Sequence, residues 1–234
     1  MNIHTGRFRH LAFALALLLV AGARGQGLNV DCDLFNSPPE VGGGAPSAAF
    51  GGAAGQVGFW NAYPDNFGDP FSLRDVNGSA TSVIITGTGL GSSGGWNNPI
   101  NTGDYNLLLN DAQQVGSNFS YTLSGLLPGR YRLYTYAVKP YSEFGEAFTT
   151  VVGSITPNPQ HASGFMPGNT FVLGVTHTIH EVDVLDGSLH LEVEGPWPDA
   201  YVNGFQLVPV PEPATLIASI FGIGAYTLKR RRSV

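Results

Sequence analysis

The chain has 234 residues, of which 12% are charged and 43% hydrophobic, with 32 glycines and 16 prolines. The hydrophobic content, with 14 phenylalanines and 9 tyrosines, supports a packed interior and excludes a disordered coil, while the glycine and proline point to turns and short strands. The net charge of −6 hides a segregation: residues 26–208 hold four basic side chains (Arg74, Arg130, Arg132, Lys139) against sixteen acidic ones, so that stretch carries −12 and repels nucleic acid.

At the start of the chain, Arg7, Arg9 and His10 precede an uninterrupted apolar run over 11–21, which is followed by the small residues Ala21-Gly22-Ala23. This pattern predicts a secretory signal peptide over 1–25. The run would rise only about 16 Å against a hydrocarbon core of roughly 30 Å, so a cleaved leader is expected rather than a retained anchor. Cys32 is the single cysteine and has no partner for an internal disulfide. Asn29-Val30-Asp31 before it makes a poor lipobox, and Cys32 is expected to be a buried small hydrophobe.

Residues 26–208 are enough for one domain with a substantial core. No long apolar stripe at helical spacing occurs there, whereas period-two alternation recurs. In 117–123, Phe119, Tyr121 and Leu123 share a face. In 130–138, Tyr131, Leu133, Thr135 and Ala137 oppose Arg132, Tyr134 and Tyr136. With Gly125-Leu126-Leu127-Pro128-Gly129 as the turn between them, these two runs are expected to form an antiparallel pair. Further strands are predicted at 28–34, 71–76, 81–86, 147–152, 170–177, 181–185, 188–193 and 201–208, with a tight turn at Asp186-Gly187. The expected fold is all-β, a jelly-roll-like antiparallel β-sandwich, with 42–55 as a Gly/Ala-rich loop.

Gly-x-Ser-x-Gly, phosphate-loop and His-Glu-x-x-His motifs are absent. A glycosidase needs only two facing carboxylates, and Asp183, Glu192, Glu194 and Asp199 are the candidates, although Glu192 and Glu194 alternate with Leu191 and Val193 and are expected to face water. His177 and His180, with Glu181 and His190 near in sequence, invite a metal reading, but positions three apart on a strand point to opposite faces. No cofactor is expected beyond a candidate structural calcium, for which Asp65, Asp69, Asp104 and Asp111 lie in Asn/Gly-rich loops. Sugar recognition calls for an aromatic plane and hydroxyl partners. Trp96 and Trp197 sit in loop contexts, Asp199 follows Trp197 closely, and Tyr134 and Tyr136 share a strand face with Arg132; these five are the candidate ligand-binding residues. Trp60 is expected in the core.

The last segment, 209–234, carries Val210-Pro211-Glu212-Pro213, an uncharged stretch over 214–228, and Lys229-Arg230-Arg231-Arg232. The stretch would rise about 22 Å, a marginal transmembrane helix, and the cations at its end resist translocation and hold that end in the cytoplasm. Motif, apolar helix and basic stop in this order resemble the PEP-CTERM sorting signal of exopolysaccharide-producing Gram-negative bacteria. The resemblance covers 210–234. It implies that Pro211, Glu212 and Pro213, with Lys229, Arg230, Arg231 and Arg232, are read by an exosortase-type membrane processing enzyme. It also implies delivery to the cell envelope, surface or extracellular matrix.

A second resemblance is carried by Leu28-Asn29-Val30-Asp31, Gly58-Phe59-Trp60-Asn61, Gly125-Leu126-Leu127-Pro128-Gly129-Arg130-Tyr131 and Val202-Asn203-Gly204-Phe205-Gln206-Leu207. These segments look like secreted galactose-binding-like β-sandwich modules, some of which bind glycans. The expected function is therefore that of an exported, non-enzymatic protein, structural or glycan-binding, with extracellular polysaccharide as the partner. The alternative is a surface glycan-processing enzyme using paired carboxylates.

Overall fold

Alternation of buried and exposed side chains along the strands builds two sheets in the computed structural model, which describes residues 26–33, 38–39, 42–64, 69–141, 143–196 and 199–211, without the side chains of 90–92 and 115–118. Gly25–Pro209 forms one compact unit. The predicted leader, residues 212–234 of the sorting segment, Asp65 and Trp197 lie outside the described residues. Among the described residues no helix is long and apolar enough to cross a membrane.

The elements in chain order are β1 (Leu28–Asp31), β2 (Trp60–Ala62), β3 (Phe71–Arg74), β4 (Ala80–Gly95), α1 (Asp104–Leu109), β5 (Asp111–Ser124), β6 (Gly129–Tyr136), β7 (Gly145–Val151), β8 (Gln160–Gly164), β9 (His177–Val184), β10 (Ser188–Glu194), β11 (Tyr201–Val202) and β12 (Gly204–Pro209). One sheet has the order β2-β1-β12-β6-β9; the other runs β3-β4-β5-β10-β7-β8, with β11 pairing β5. All pairings are antiparallel except β1 with β2. The chain is thus an all-β sandwich.

Inward residues of both sheets make the main core. Leu28, Val30, Cys32, Tyr131, Leu133, Val182, Phe205 and Leu207 come from the first sheet, and Val83, Ile85, Phe119, Tyr121, Leu123, Leu189, Leu191 and Val193 from the second. Across the sandwich the Tyr121 and Phe205 rings meet edge to face with centroids 4.7 Å apart, a favoured aromatic geometry. The expected alternation holds over 119–123 and 130–138, and Cys32 and Trp60 are buried as expected.

The expected pairing of 117–123 with 130–138 is not formed. β5 and β6 belong to opposite sheets, because the 125–129 turn arches over the core instead of folding back in plane. Leu126 tucks beneath this arch, its N–H donating to the carbonyl of Gly187 in the second arch, which links β9 to β10 across the sheets in the same way. At Gly125 φ is +81° and a Cβ would strike the Ser82 carbonyl, so the arch requires glycine there.

The strand predicted at 170–177 is also absent: Thr176 Oγ1 accepts from the Val172 N–H (2.9 Å) and donates to its carbonyl (3.1 Å), closing a local turn. β8 takes the edge position instead, pairing with β7.

The outer face of the first sheet is covered around Trp60 and Tyr136. The 42–59 loop and α1 lie over it, and Trp60, Leu108, Leu109, Tyr136, Val138 and Met166 form a second core with Phe50, Tyr105 and Phe171 against them. Gln206 pegs the loop down: its Nε2 donates to the Gly51 carbonyl (3.0 Å) and to Asn29 Oδ1 (2.9 Å), while its Oε1 accepts from the Ala54 N–H (3.2 Å) and the Tyr136 hydroxyl (2.6 Å).

Candidate functional site

The strand ends fix which loops share one end of the sandwich. Gly95 of β4 pairs with Asp111 of β5, Tyr201 of β11 with Gln114 of β5, Gly204 of β12 with Tyr136 of β6, and Gly145 of β7 with Gly164 of β8. The segments 96–103, 137–141, 143–144, 165–170, 195–196 and 199–200 therefore emerge together.

An aromatic cluster stands at this end. The Trp96 ring lies 5.1 Å from that of Tyr141 and 5.5 Å, at 89°, from that of Tyr201. The Tyr141 and Tyr201 hydroxyls are 2.6 Å apart, and Gln114 Nε2 donates to the Tyr201 oxygen at 3.1 Å. Burial, followed by this contact with Tyr141, raises the Tyr201 hydroxyl well above its ordinary pKa, so it stays protonated. Trp96 and Tyr141 remain half-buried while Tyr201 is fully covered. Backbone geometry sets the indole: the Trp96 N–H donates to the Asn110 carbonyl (2.7 Å), and the ring lies over Gly94, where a Cβ would come within 2.7 Å of it.

Beside the aromatics lies an ion cluster. Lys139, only 4% exposed, places Nζ 2.6 Å from Asp199 Oδ1 and 2.8 Å from Glu143 Oε2, and 5.1 Å from the Tyr141 ring centroid. Burial pulls the ammonium down, but Asp199 and Glu143 outweigh it and hold it charged, above its usual value. The carboxylates keep access to water, with side-chain exposures of 33% for Asp199 and 65% for Glu143.

Two of the five predicted ligand-binding residues, Trp96 and Asp199, come to this end. Trp197 lies outside the described residues. Tyr134 and Tyr136 do not join them. Tyr136 is fully buried in the second core, with its hydroxyl bonded to Ala53 N–H and Gln206, and cannot offer a face to a sugar. Tyr134, half-buried, stacks on His177 at 6.0 Å on the outer face of the first sheet. Sequence reasoning missed Tyr141, Tyr201, Lys139 and Glu143. The signal was present in Lys139, the one lysine of the domain, set in an apolar run with Glu143 four residues on.

The remaining candidates are dispersed. His177 and His180 face opposite sides of β9, and burial lowers each to about 4. Asp183 is held low by its bidentate pair with Arg130 (2.7 and 2.9 Å). Glu192 and Glu194 face water on the second sheet, as expected. Asp104 accepts from the Ser47 N–H and hydroxyl, and Asp69 is exposed. Asp111 instead lies buried beside Asp31, whose two carboxylate oxygens are fully covered and meet no hydrogen-bond donor. Burial first, then the charges of Asp111 and Asp33, push the Asp31 carboxyl well above the ordinary range. Among the described residues no three His, Cys, Asp or Glu side chains gather to hold a metal ion.

No family model matches the chain. No curated protein matches it either. Among solved structures, the chain is similar to CBM35 from Cellvibrio japonicus Abf62, with 11% identity over 44% of this chain and 75% of that one and a TM-score of 0.29. It is similar to TmCBM61 in complex with beta-1,4-galactotriose, with 18% identity over 54% and 82% of the two chains and a TM-score of 0.27. It is also similar to the ANXUR2 extracellular domain from Arabidopsis thaliana, with 14% identity over 80% and 49% and a TM-score of 0.38. At identities this low, what those proteins bind is a fact about them alone.

Proposed function

We propose that residues 26–208 form a non-catalytic glycan-binding module that works outside the cell, with Trp96 as its stacking surface. The observation that carries this reading is the half-buried indole, braced by Tyr141 and Tyr201 and set next to the water-accessible carboxylates of Asp199 and Glu143. A pyranose presents a C–H face to an aromatic plane and hydroxyl donors around its rim, and carboxylates accept those donors. The polysaccharide would be that of the cell's own exterior. There 1–25 would act as the leader and 209–234 as the PEP-CTERM-type signal read by an exosortase-type enzyme through Pro211, Glu212 and Pro213; the support for export is the charge and hydropathy pattern of those two segments.

Affinity electrophoresis tests the binding. The purified chain should be retarded by polysaccharide in the gel, should release no reducing ends from it, and should lose most of its retardation as Trp96→Ala, a cost of about 1–2 kcal/mol or roughly 5–30-fold in affinity. Hydrolysis abolished by substituting one carboxylate would replace this reading with an enzymatic one. Export is tested by fractionation: intact, unprocessed chain in the cytosol of a host that carries an exosortase would refute it.

A further inference from the structure

We infer that the glycan taken at Trp96 is uncharged, a neutral hexopyranose polymer rather than a uronate, sulfated or phosphorylated chain; this rests on the glycan-binding reading above. Anionic sugars are recognised through free cations, above all the arginine fork that meets a carboxylate or sulfate bidentately. Residues 26–208 hold only Arg74, Arg130, Arg132 and Lys139 as permanent cations, and each is already engaged.

Arg130 gives Nε and Nη2 to the two oxygens of Asp183 (2.7 and 2.9 Å). Arg132 is forked onto Glu181, with Nε at 3.1 Å and Nη2 on the same oxygen. Arg74 donates to the Gly78 carbonyl (3.0 Å) and lies over the Phe59 ring. Lys139, the cation at the aromatic cluster, is almost wholly covered and shared between two carboxylates, so the cluster has a local charge of −1 within a domain of −12.

At this cluster a uronate could be held only by displacing Asp199 or Glu143 from Lys139, one carboxylate exchanged for another, and it would approach through a repulsive field. A neutral pyranose meets no such barrier: its apolar face stacks on Trp96 and its hydroxyls donate to Asp199 and Glu143. Its binding should therefore be insensitive to ionic strength, whereas capture of a polyanion by cations falls as salt rises.

The experiment is affinity electrophoresis of the full chain in chelator, at low and raised salt. The gels carry a neutral panel (β-glucan, galactan, mannan, xylan) or an anionic one (alginate, polygalacturonate, a sulfated galactan). The expected result is retardation by at least one neutral polymer, unchanged by salt and lost in Trp96→Ala, with at least tenfold weaker retardation by every anionic one. Equal or stronger retardation by an anionic polymer, in chelator or after calcium is restored, overturns the inference and leaves the glycan-binding reading standing. Retardation by a neutral polymer that survives in a folded Trp96→Ala variant overturns the placement at this site. Silence across both panels overturns the glycan-binding reading itself.

Discussion

Asp31→Asn should make this protein more stable, which is unusual for a substitution at a fully buried position. The carboxyl sits at the end of β1 with both oxygens covered and no donor facing either, while Asp111 and Asp33 add like charge. An ion so placed forfeits several kcal/mol of hydration without compensation. The amide is isosteric and neutral, and its own unmet hydrogen bonds cost about 1–3 kcal/mol. The difference leaves a gain of about 1–3 kcal/mol at neutral pH, worth roughly 3–10 °C in Tm for a domain of this size. Melting should be followed by circular dichroism in chelator from pH 4 to pH 8. In the native state the proton is held more tightly than in the unfolded chain, where aspartate titrates near about 3.9. The parent therefore keeps the full contribution of this group below about pH 4 and loses it as pH rises through the native value. The gap between variant and parent should thus open with rising pH and close in acid. A variant that melts below the parent at neutral pH would refute the reasoning, since it would mean that the carboxylate is compensated.

Gln206→Leu removes the peg that holds the 42–59 loop, leaving the Gly51 carbonyl, the Ala54 N–H and the Tyr136 hydroxyl proton short of partners, while Asn29 Oδ1 keeps the Gln56 amide. A loss of about 3–5 kcal/mol in urea unfolding is expected, at about 1–3 kcal/mol for each group that water cannot reach. Lys139→Met should cost only about 1–2 kcal/mol by the same measurement, because Asp199 and Glu143 can both turn to water. Arg130→Ala breaks an exposed pair with Asp183 and should shift stability by less than about 0.5 kcal/mol; its melting curve serves as the control for surface charge.

Strand existence was legible from period-two patterning, since Phe119, Tyr121 and Leu123, or Leu189, Leu191 and Val193, alternate with polar residues over a whole strand. The pairing of those strands was not. A five-residue link reads locally as a hairpin turn, and whether it closes in plane or arches between sheets depends on what Leu126 packs under, which is tertiary information. β8 escaped detection because Gln160–Gly164 has one buried apolar side chain, Ala162, and owes its extended form to the β7 ladder. At the site, Trp96 was legible as a large apolar ring in a polar glycine-rich loop. Tyr136 misled because its outward position on β6 reads as exposed, and what covers it, the 42–59 loop with α1 and Phe171, is distant in sequence.

The same long-range packing makes the loop end a rigid support for its aromatic cluster. Asn203, between β11 and β12, accepts from the Val138 N–H (2.9 Å), donates through Nδ2 to the carbonyls of Asp111 (3.0 Å) and Leu109 (3.3 Å), and through its backbone joins Tyr136 and Cys32. One buried side chain thereby ties the segment leading to Lys139 and Tyr141 in the first sheet to the α1–β5 junction that anchors Trp96 in the second. Binding on a surface held this way forfeits little conformational entropy, because the rings and the ion cluster are in place before the ligand arrives. On the glycan-binding reading, a long polymer that repeats one sugar would offer a single such site many equivalent positions, raising the apparent affinity per polymer chain in proportion to their number without any new contact.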